Sequence, residues 1–155
     1  NPNVEILATR KTLPGLRDIE KRAVVHGGGA THRMRLDDAI LIKDNHLKLS
    51  KNIKKSIEIS RSKYPNLMVE VEADNEQQAI EIAKNGADRV MLDNFSPDEA
   101  TATIRKLREI SDIEIEISGG VTIENVASYA KDADFISLGS LTMSSLPVDF
   151  SLHVL

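Results

Sequence analysis

The stretch MVEVEADNEQQAIEIAKNGADRVMLDN, residues 68–94, reads as strand, helix, strand. MVEVEA (68–73) and RVMLDN (89–94) are short apolar-rich runs of strand length. Between them, NEQQAIEIAKNG (75–86) gathers Ala79, Ile80, Ile82 and Ala83 toward one face, with Asn85-Gly86 placed as a C-cap. Two strands joined through one helix predict a parallel βαβ unit.

The same beat runs through the whole chain. Further strands are expected at EILAT (5–9), AILIKD (39–44), EIEIS (114–118) and FISLG (135–139). A helix is expected over 96–110, where Ser96, Pro97 and Glu99 make a capping box with proline at the first helical position. Another is expected over 122–130, capped by Thr122. With no linker or low-complexity break, residues 1–155 read as one α/β domain. The expected strands finish on polar or glycine residues: Arg10-Lys11, Lys43-Asp44, Glu72, Asp93-Asn94, Ser118-Gly119-Gly120 and Gly139-Ser140. Doubly wound sheets and barrels both bind ligands at that edge. Only a barrel aims all of the ends at one centre, so the expected fold is an open or incomplete TIM-like (β/α) barrel of parallel strands.

Composition narrows the function. No run of 18 apolar residues occurs, so no membrane span is expected. The absence of cysteine excludes disulfides and thiolate metal sites and fits a reducing compartment. Residues 1–55 carry 12 Lys or Arg against 6 Asp or Glu, while residues 56–155 carry 8 against 18. A basic first third facing an acidic remainder suits an anionic ligand better than nucleic acid, since the basic residues form no single stripe. The chain opens on Asn1 and enters strand-like sequence almost at once, which predicts a piece of a longer protein.

The candidate site residues fall into three groups. Arg10 offers a planar fork for carboxylate or phosphate, and Lys11 a compact charge, beside the Pro14-Gly15 turn. His32 and Arg33 follow a triple-glycine turn; taken alone, a flexible surface loop with an incidental His-Arg pair is the better reading. Lys43 is open to three roles: a structural ion pair, a phosphate contact or a Schiff-base amine. Glu70 and Glu72 share one face of their strand, so Glu72 could hold a divalent cation or sugar hydroxyls while the deeper Glu70 pairs with a lysine. Asp93 could complete an oxygen-ligand site for Mg²⁺; Asn94 reads more plainly as an Asx turn. Ser118-Gly119-Gly120 and Gly139-Ser140, on successive late strands, suit a phosphate. The alternation in EIEIS assigns Glu114 and Glu116 to a solvated outer face. Arg17 receives no role.

ATRKTLPGLR (8–17), GGGATHRMRL with IKDNH, VEVEAD, VMLDN, EISGG and ISLGSLT come in the order and spacing of the quinolinate phosphoribosyltransferases, which the chain resembles from about residue 5 to its end. The resemblance implies an enzyme that joins quinolinate to 5-phosphoribosyl-1-pyrophosphate with Mg²⁺, giving nicotinate mononucleotide, pyrophosphate and carbon dioxide for NAD biosynthesis. It implies an N-terminal α/β sandwich domain outside this chain. It also implies a cytoplasmic homodimer or larger homo-oligomer, in which the partner's N-terminal domain completes each barrel. By motif, Arg10 and Arg33, with His32 nearby, correspond to binders of the quinolinate carboxylates. Lys11 and Lys43 correspond to contacts with carboxylate and pyrophosphate. Glu72 and Asp93 match the acidic pair that holds ribose and metal, and Ser118, Gly119 and Gly139 the 5′-phosphate loop. Thr31, Arg35 and Met143 depart from the family pattern. A related phosphoribosyltransferase acting on another aromatic acid, and a Schiff-base aldolase using Lys43, are the alternatives.

Overall fold

In the computed structural model, which describes residues 3–129 and 131–154, the strands β1 (Glu5–Ala8), β2 (Ile40–Ile42), β3 (Val69–Ala73), β4 (Arg89–Asp93), β5 (Glu114–Ser118) and β6 (Phe135–Leu138) form one sheet. All pairings are parallel, in the order β1-β6-β5-β4-β3-β2. That order is the chain order run round a circle and cut between β1 and β2. A doubly wound sheet would reverse direction at a switch point instead. Among the described residues no ladder joins β1 to β2, so the barrel is open, as the sequence predicts.

The gap is partly filled from β1. Ala30 N–H donates to Ile6 O at 2.8 Å, and Ala8 N–H to Ala30 O at 2.9 Å, forming a single bridge on the free edge of β1. The preceding glycine is needed for this approach: a Cβ on Gly29 would lie 2.8 Å from Ile6 O and 2.9 Å from the Val24 side chain. The triple-glycine turn is thus not a loose loop. It lays the His32-Arg33 segment against the sheet.

Helices α1 (Arg17–His26), α2 (Asp44–Ser50), α3 (Ile53–Lys63), α4 (Glu76–Lys84), α5 (Pro97–Ile110), α6 (Val126–Tyr129) and α7 (Ser140–Met143) complete the domain. The α5 capping box forms as expected: Ser96 Oγ accepts from Glu99 N–H, and Glu99 Oε2 accepts from Ser96 N–H. Asn85 caps α4, with Gly86 beyond it at φ 77°. The expected helix over 122–130 is shorter. Residues 123–125 turn first, with the Asn125 side chain accepting from Thr122 N–H at 2.7 Å and donating to Gly120 O at 3.1 Å. Its last residue, Ala130, lies outside the described residues.

The core sits between strands and helices. Val69, Val71, Val90, Leu92, Ile115, Ile117 and Ile136 point outward and meet Ile57 of α3, Ala79 and Ile82 of α4, and Ile104 and Leu107 of α5. Burying each of the larger side chains contributes about 1.5–3 kcal/mol. A repeated staple locks the N-terminal strand ends. Asp88 accepts from Val69 N–H and pairs with Arg61, while Asp134 accepts from Ile115 N–H and pairs with Arg108.

The strand residues of the other parity face into the barrel, and they are largely polar: Glu70, Glu72, Arg89, Asp93, Glu116, Ser118 and Ser137. This corrects the assignment of Glu116 to a solvated face, because Glu116 is 0% exposed. The alternation in EIEIS is real, but helices cover its apolar side, so its acidic side turns inward. Glu114 at the barrel's end remains partly exposed and accepts from the Arg89 guanidinium at 2.8 Å. That guanidinium also stacks 3.8 Å over the Phe135 ring.

Candidate active site

A cleft of 360 Å³ opens at the C-terminal strand ends. Of the residues expected there, Arg10, Lys11, His32, Arg33, Lys43, Glu72, Asp93 and Ser118 all line it. Gly119 and Gly139 are not among the lining residues, though a Cβ on Gly139 would lie 3.6 Å from Lys11 Cδ. Leu41 and Met91 supply an apolar wall. A larger cavity of 570 Å³ lies at the opposite end of the barrel. It contains none of the expected residues, and its Arg108 is already engaged by Asp134.

The loop after β1 carries Arg10 and Lys11 to the mouth. Thr142 Oγ1 of α7 donates to Lys11 O at 2.6 Å and fixes the loop's backbone. Arg17, which the sequence left without a role, ties this loop to the His32-Arg33 segment. Its Nε donates to Thr12 Oγ1 at 3.2 Å and its Nη1 to Met34 O at 3.4 Å. Arg33 Nη1 donates to Ala39 O at 3.1 Å. Among the described residues, the buried Nε–H groups of Arg10 and of Arg33 have no partner. An unmade hydrogen bond on a buried guanidinium is costly, and both side chains that carry one also line the cleft.

The carboxylate side is organised by Lys43, whose Nζ lies 3.5 Å from Glu72 Oε2. Burial pushes the Glu72 carboxyl upward and Asp93 adds to that, while Lys43 opposes both. Asn94, held at φ 59°, donates its amide to Asp93 Oδ2 at 2.6 Å and orients that carboxylate. Asn94 therefore does more than start an Asx turn. Gly119 makes room for it, since a Cβ there would fall 2.4 Å from Asn94 Oδ1. We expect Gly119→Ala, at φ 78°, to destabilise the fold by at least ~1–2 kcal/mol, read as a lowered midpoint in urea denaturation.

Beneath the cleft, His32 Nε2 lies 3.2 Å from both Glu70 Oε2 and Glu116 Oε2. Glu70 thus faces a histidine, not the lysine expected from sequence; the lysine pairs with Glu72. Arg89 Nη1 donates to Glu116 Oε2 at 3.3 Å, and Ser137 Oγ to Glu116 Oε1 at 2.6 Å. Burial opposes charge on His32, but Glu116 and Glu70 outweigh it and hold the imidazole up to about 9. Burial likewise pushes Glu70 upward. Arg33 N–H donates to Nδ1 at 2.6 Å, which places the neutral ring's proton on Nε2, toward the carboxylates. A second proton requires that contact to open.

Sequence reasoning missed Glu116, Arg89 and Lys21. Parity offered a signal for Glu116: it stands two residues before Ser118, as Glu70 stands two before Glu72.

The model of the family described as "Quinolinate phosphoribosyl transferase, C-terminal domain" matches residues 1–153. A probable nicotinate-nucleotide pyrophosphorylase [carboxylating] of Archaeoglobus fulgidus is 44% identical over 100% of this chain and 61% of its own length. The human nicotinate-nucleotide pyrophosphorylase [carboxylating] is 39% identical over 96% of this chain and 51% of its own. The crystal structure of NadC from Streptococcus pyogenes superposes with a TM-score of 0.90 at 38% identity, covering 97% of this chain and 53% of that one. The chain thus spans between half and two thirds of the relatives' length. It belongs to the quinolinate phosphoribosyl transferase family, the match falling on that family's C-terminal domain.

Proposed function

We propose that the cleft joins quinolinate to 5-phosphoribosyl-1-pyrophosphate in a carboxylating nicotinate-nucleotide pyrophosphorylase of NAD biosynthesis. The observation that carries this reading is one cleft lined both by Arg10 and Arg33, whose buried Nε–H groups lack partners among the described residues, and by the acidic pair Glu72 and Asp93. Arg10 and Arg33 take the two quinolinate carboxylates, with Leu41 and Met91 against the ring. Lys11 and Lys43 meet carboxylate and pyrophosphate. Ser118, Gly119 and Gly139 take the 5′-phosphate.

The chemistry follows from bringing two anions together. The pyridine nitrogen bonds to ribose C1 as the C1–O bond to pyrophosphate breaks, its electron pair leaving with pyrophosphate. Fixed cations stabilise the growing negative charge, and the carboxylates face the ribose as it becomes positive. The pyridinium then accepts the electron pair released when the adjacent carboxylate departs as carbon dioxide, and a solvent proton fills that carbon. No side-chain nucleophile takes part; the residues position and neutralise.

Glu72 and Asp93 fit a Mg²⁺ ion. They are hard oxygen donors in one cleft, and Glu72 Oε2, 3.5 Å from Lys43 Nζ, accepts no hydrogen bond among the described residues. When bound there with substrate phosphates, Mg²⁺ neutralises charge on the leaving group.

The intact protein extends beyond this chain in the same reading. Leu146, Val148, Phe150, Leu152 and Val154 alternate along the C-terminal segment and are 73–92% exposed. Such a pattern suits a strand that packs on a further domain. The reading includes an N-terminal sandwich domain and a homodimer or larger homo-oligomer whose partner domain closes the cleft. Both substrates are multiply charged anions that do not cross a bilayer unaided, which suits a cytoplasmic enzyme.

The test is pyrophosphate release by the full-length protein with 5-phosphoribosyl-1-pyrophosphate and each of quinolinate, nicotinate and isonicotinate, with and without Mg²⁺. We expect quinolinate to exceed the monoacids by roughly 10³-fold in kcat/KM, because a monoacid leaves one buried guanidinium unmatched. Equal use of the acids would sink the dicarboxylate reading and favour a related phosphoribosyltransferase.

A further inference from the structure

Lys21 lines no part of the cleft, yet it is 0% exposed. A buried ammonium is costly unless hydrogen bonds satisfy it. Its Nζ donates to Thr31 O and, at 2.5 Å, to Arg33 O. These carbonyls flank His32, whose φ of 46° lies in the left-handed region that non-glycine residues seldom adopt. One ammonium gripping the carbonyl on either side holds that turn closed. From the turn, the His32 ring drops between Glu70 and Glu116, and the Arg33 guanidinium enters the cleft.

The arrangement is poorly suited to stability alone. Burial, followed by the charges of Arg17, Arg10 and Arg33, lowers Lys21 to about 8, with only Asp38 opposing. A buried apolar residue would avoid that cost, but it could not grip two carbonyls. Arg17, one turn earlier on α1, reaches Met34 O in the same way. The inner face of α1 therefore acts on the backbone that carries the anion-binding side chains.

We propose that Lys21 is a positioning residue for the anion site: by holding the carbonyls of Thr31 and Arg33 it fixes the left-handed turn at His32 and aims Arg33 at the bound acid. The inference rests on the reading of the cleft as a quinolinate site. It predicts a defect confined to one substrate.

In the full-length protein, Lys21→Met and Lys21→Arg are compared with wild type by steady-state kinetics, thermal melting and the ¹⁵N-labelled imidazole resonances of His32. Lys21→Met is expected to raise KM for quinolinate about 10- to 100-fold. KM for 5-phosphoribosyl-1-pyrophosphate should stay within about twofold, and the His32 resonances should shift. Lys21→Arg, which can donate to both carbonyls, should recover much of the loss. Should Lys21→Met not fold, Lys21→Gln, with one amide donor group, is expected to give an intermediate rise. Unchanged quinolinate KM with unchanged His32 resonances would overturn the proposal, as would equal rises in both KM values. If wild type does not turn over quinolinate, the reading of the cleft has failed. The His32 resonances of the variants then decide by themselves whether Lys21 holds the turn.

Discussion

Arg33→Ala in the full-length protein is expected to lower kcat/KM for quinolinate by about 10³-fold while leaving the fold intact. Among the described residues the side chain donates one hydrogen bond, to Ala39 O at 3.1 Å, and its buried Nε–H has no partner. Burial lowers its pKa from the usual guanidinium value; Glu70 opposes this shift and Arg10 adds to it. Removing the guanidinium leaves one carboxylate of the acid buried without its fork, which costs far more than an exposed charge contact. Arg33→Lys should recover little, since an ammonium cannot present two parallel donors. The backbone at residue 33 is held by Lys21 and by Asp38, whose Oδ2 accepts from the neighbouring Met34 N–H at 2.8 Å. The circular dichroism and melting curves should therefore stay close to wild type. Near-normal turnover in Arg33→Ala would remove Arg33 from the site.

Lys43→Ala is expected to cost about 10²- to 10³-fold in kcat/KM for 5-phosphoribosyl-1-pyrophosphate. Lys43 is the cation that faces Glu72 at 3.5 Å, and it opposes the effects of burial and of Asp93 on that carboxylate. Its side chain is half exposed, so the substitution should leave stability nearly unchanged. The same variant separates the leading reading from an aldolase. The leading reading gives Lys43 an electrostatic role beside Glu72, 3.5 Å away, and no covalent one. Borohydride should therefore trap no carbonyl compound on wild-type Lys43. Covalent trapping at that residue, verified by peptide mass, would revive the aldolase.

Much of this cleft was legible because its lining is concentrated at strand ends. Arg10, Lys43, Glu72, Asp93 and Ser118 stand where an apolar run stops, and the barrel order of strands brings those stops together. What sequence did not show depends on the third dimension. Glu116 was assigned to solvent because alternation alone does not say which face the helices cover. Glu70 was given a lysine because the segment that delivers His32 crosses the open side of the barrel, through a bridge at Ala30 that strand patterns do not announce. Arg17 and Lys21 act on backbone carbonyls of a distant loop, and any residue type can supply a carbonyl. Asn94 was read as a turn former; its grip on Asp93 needs the space that Gly119 leaves.

The central claim is that one cleft couples transfer to nitrogen with loss of the neighbouring carboxylate. Quinolinate labelled with ¹³C in the carboxylate next to nitrogen, incubated with the full-length protein, tests it directly. The account predicts labelled carbon dioxide only when 5-phosphoribosyl-1-pyrophosphate is present, one molecule for each pyrophosphate released. Pyrophosphate release without labelled carbon dioxide, or labelled carbon dioxide without the ribosyl donor, would contradict it.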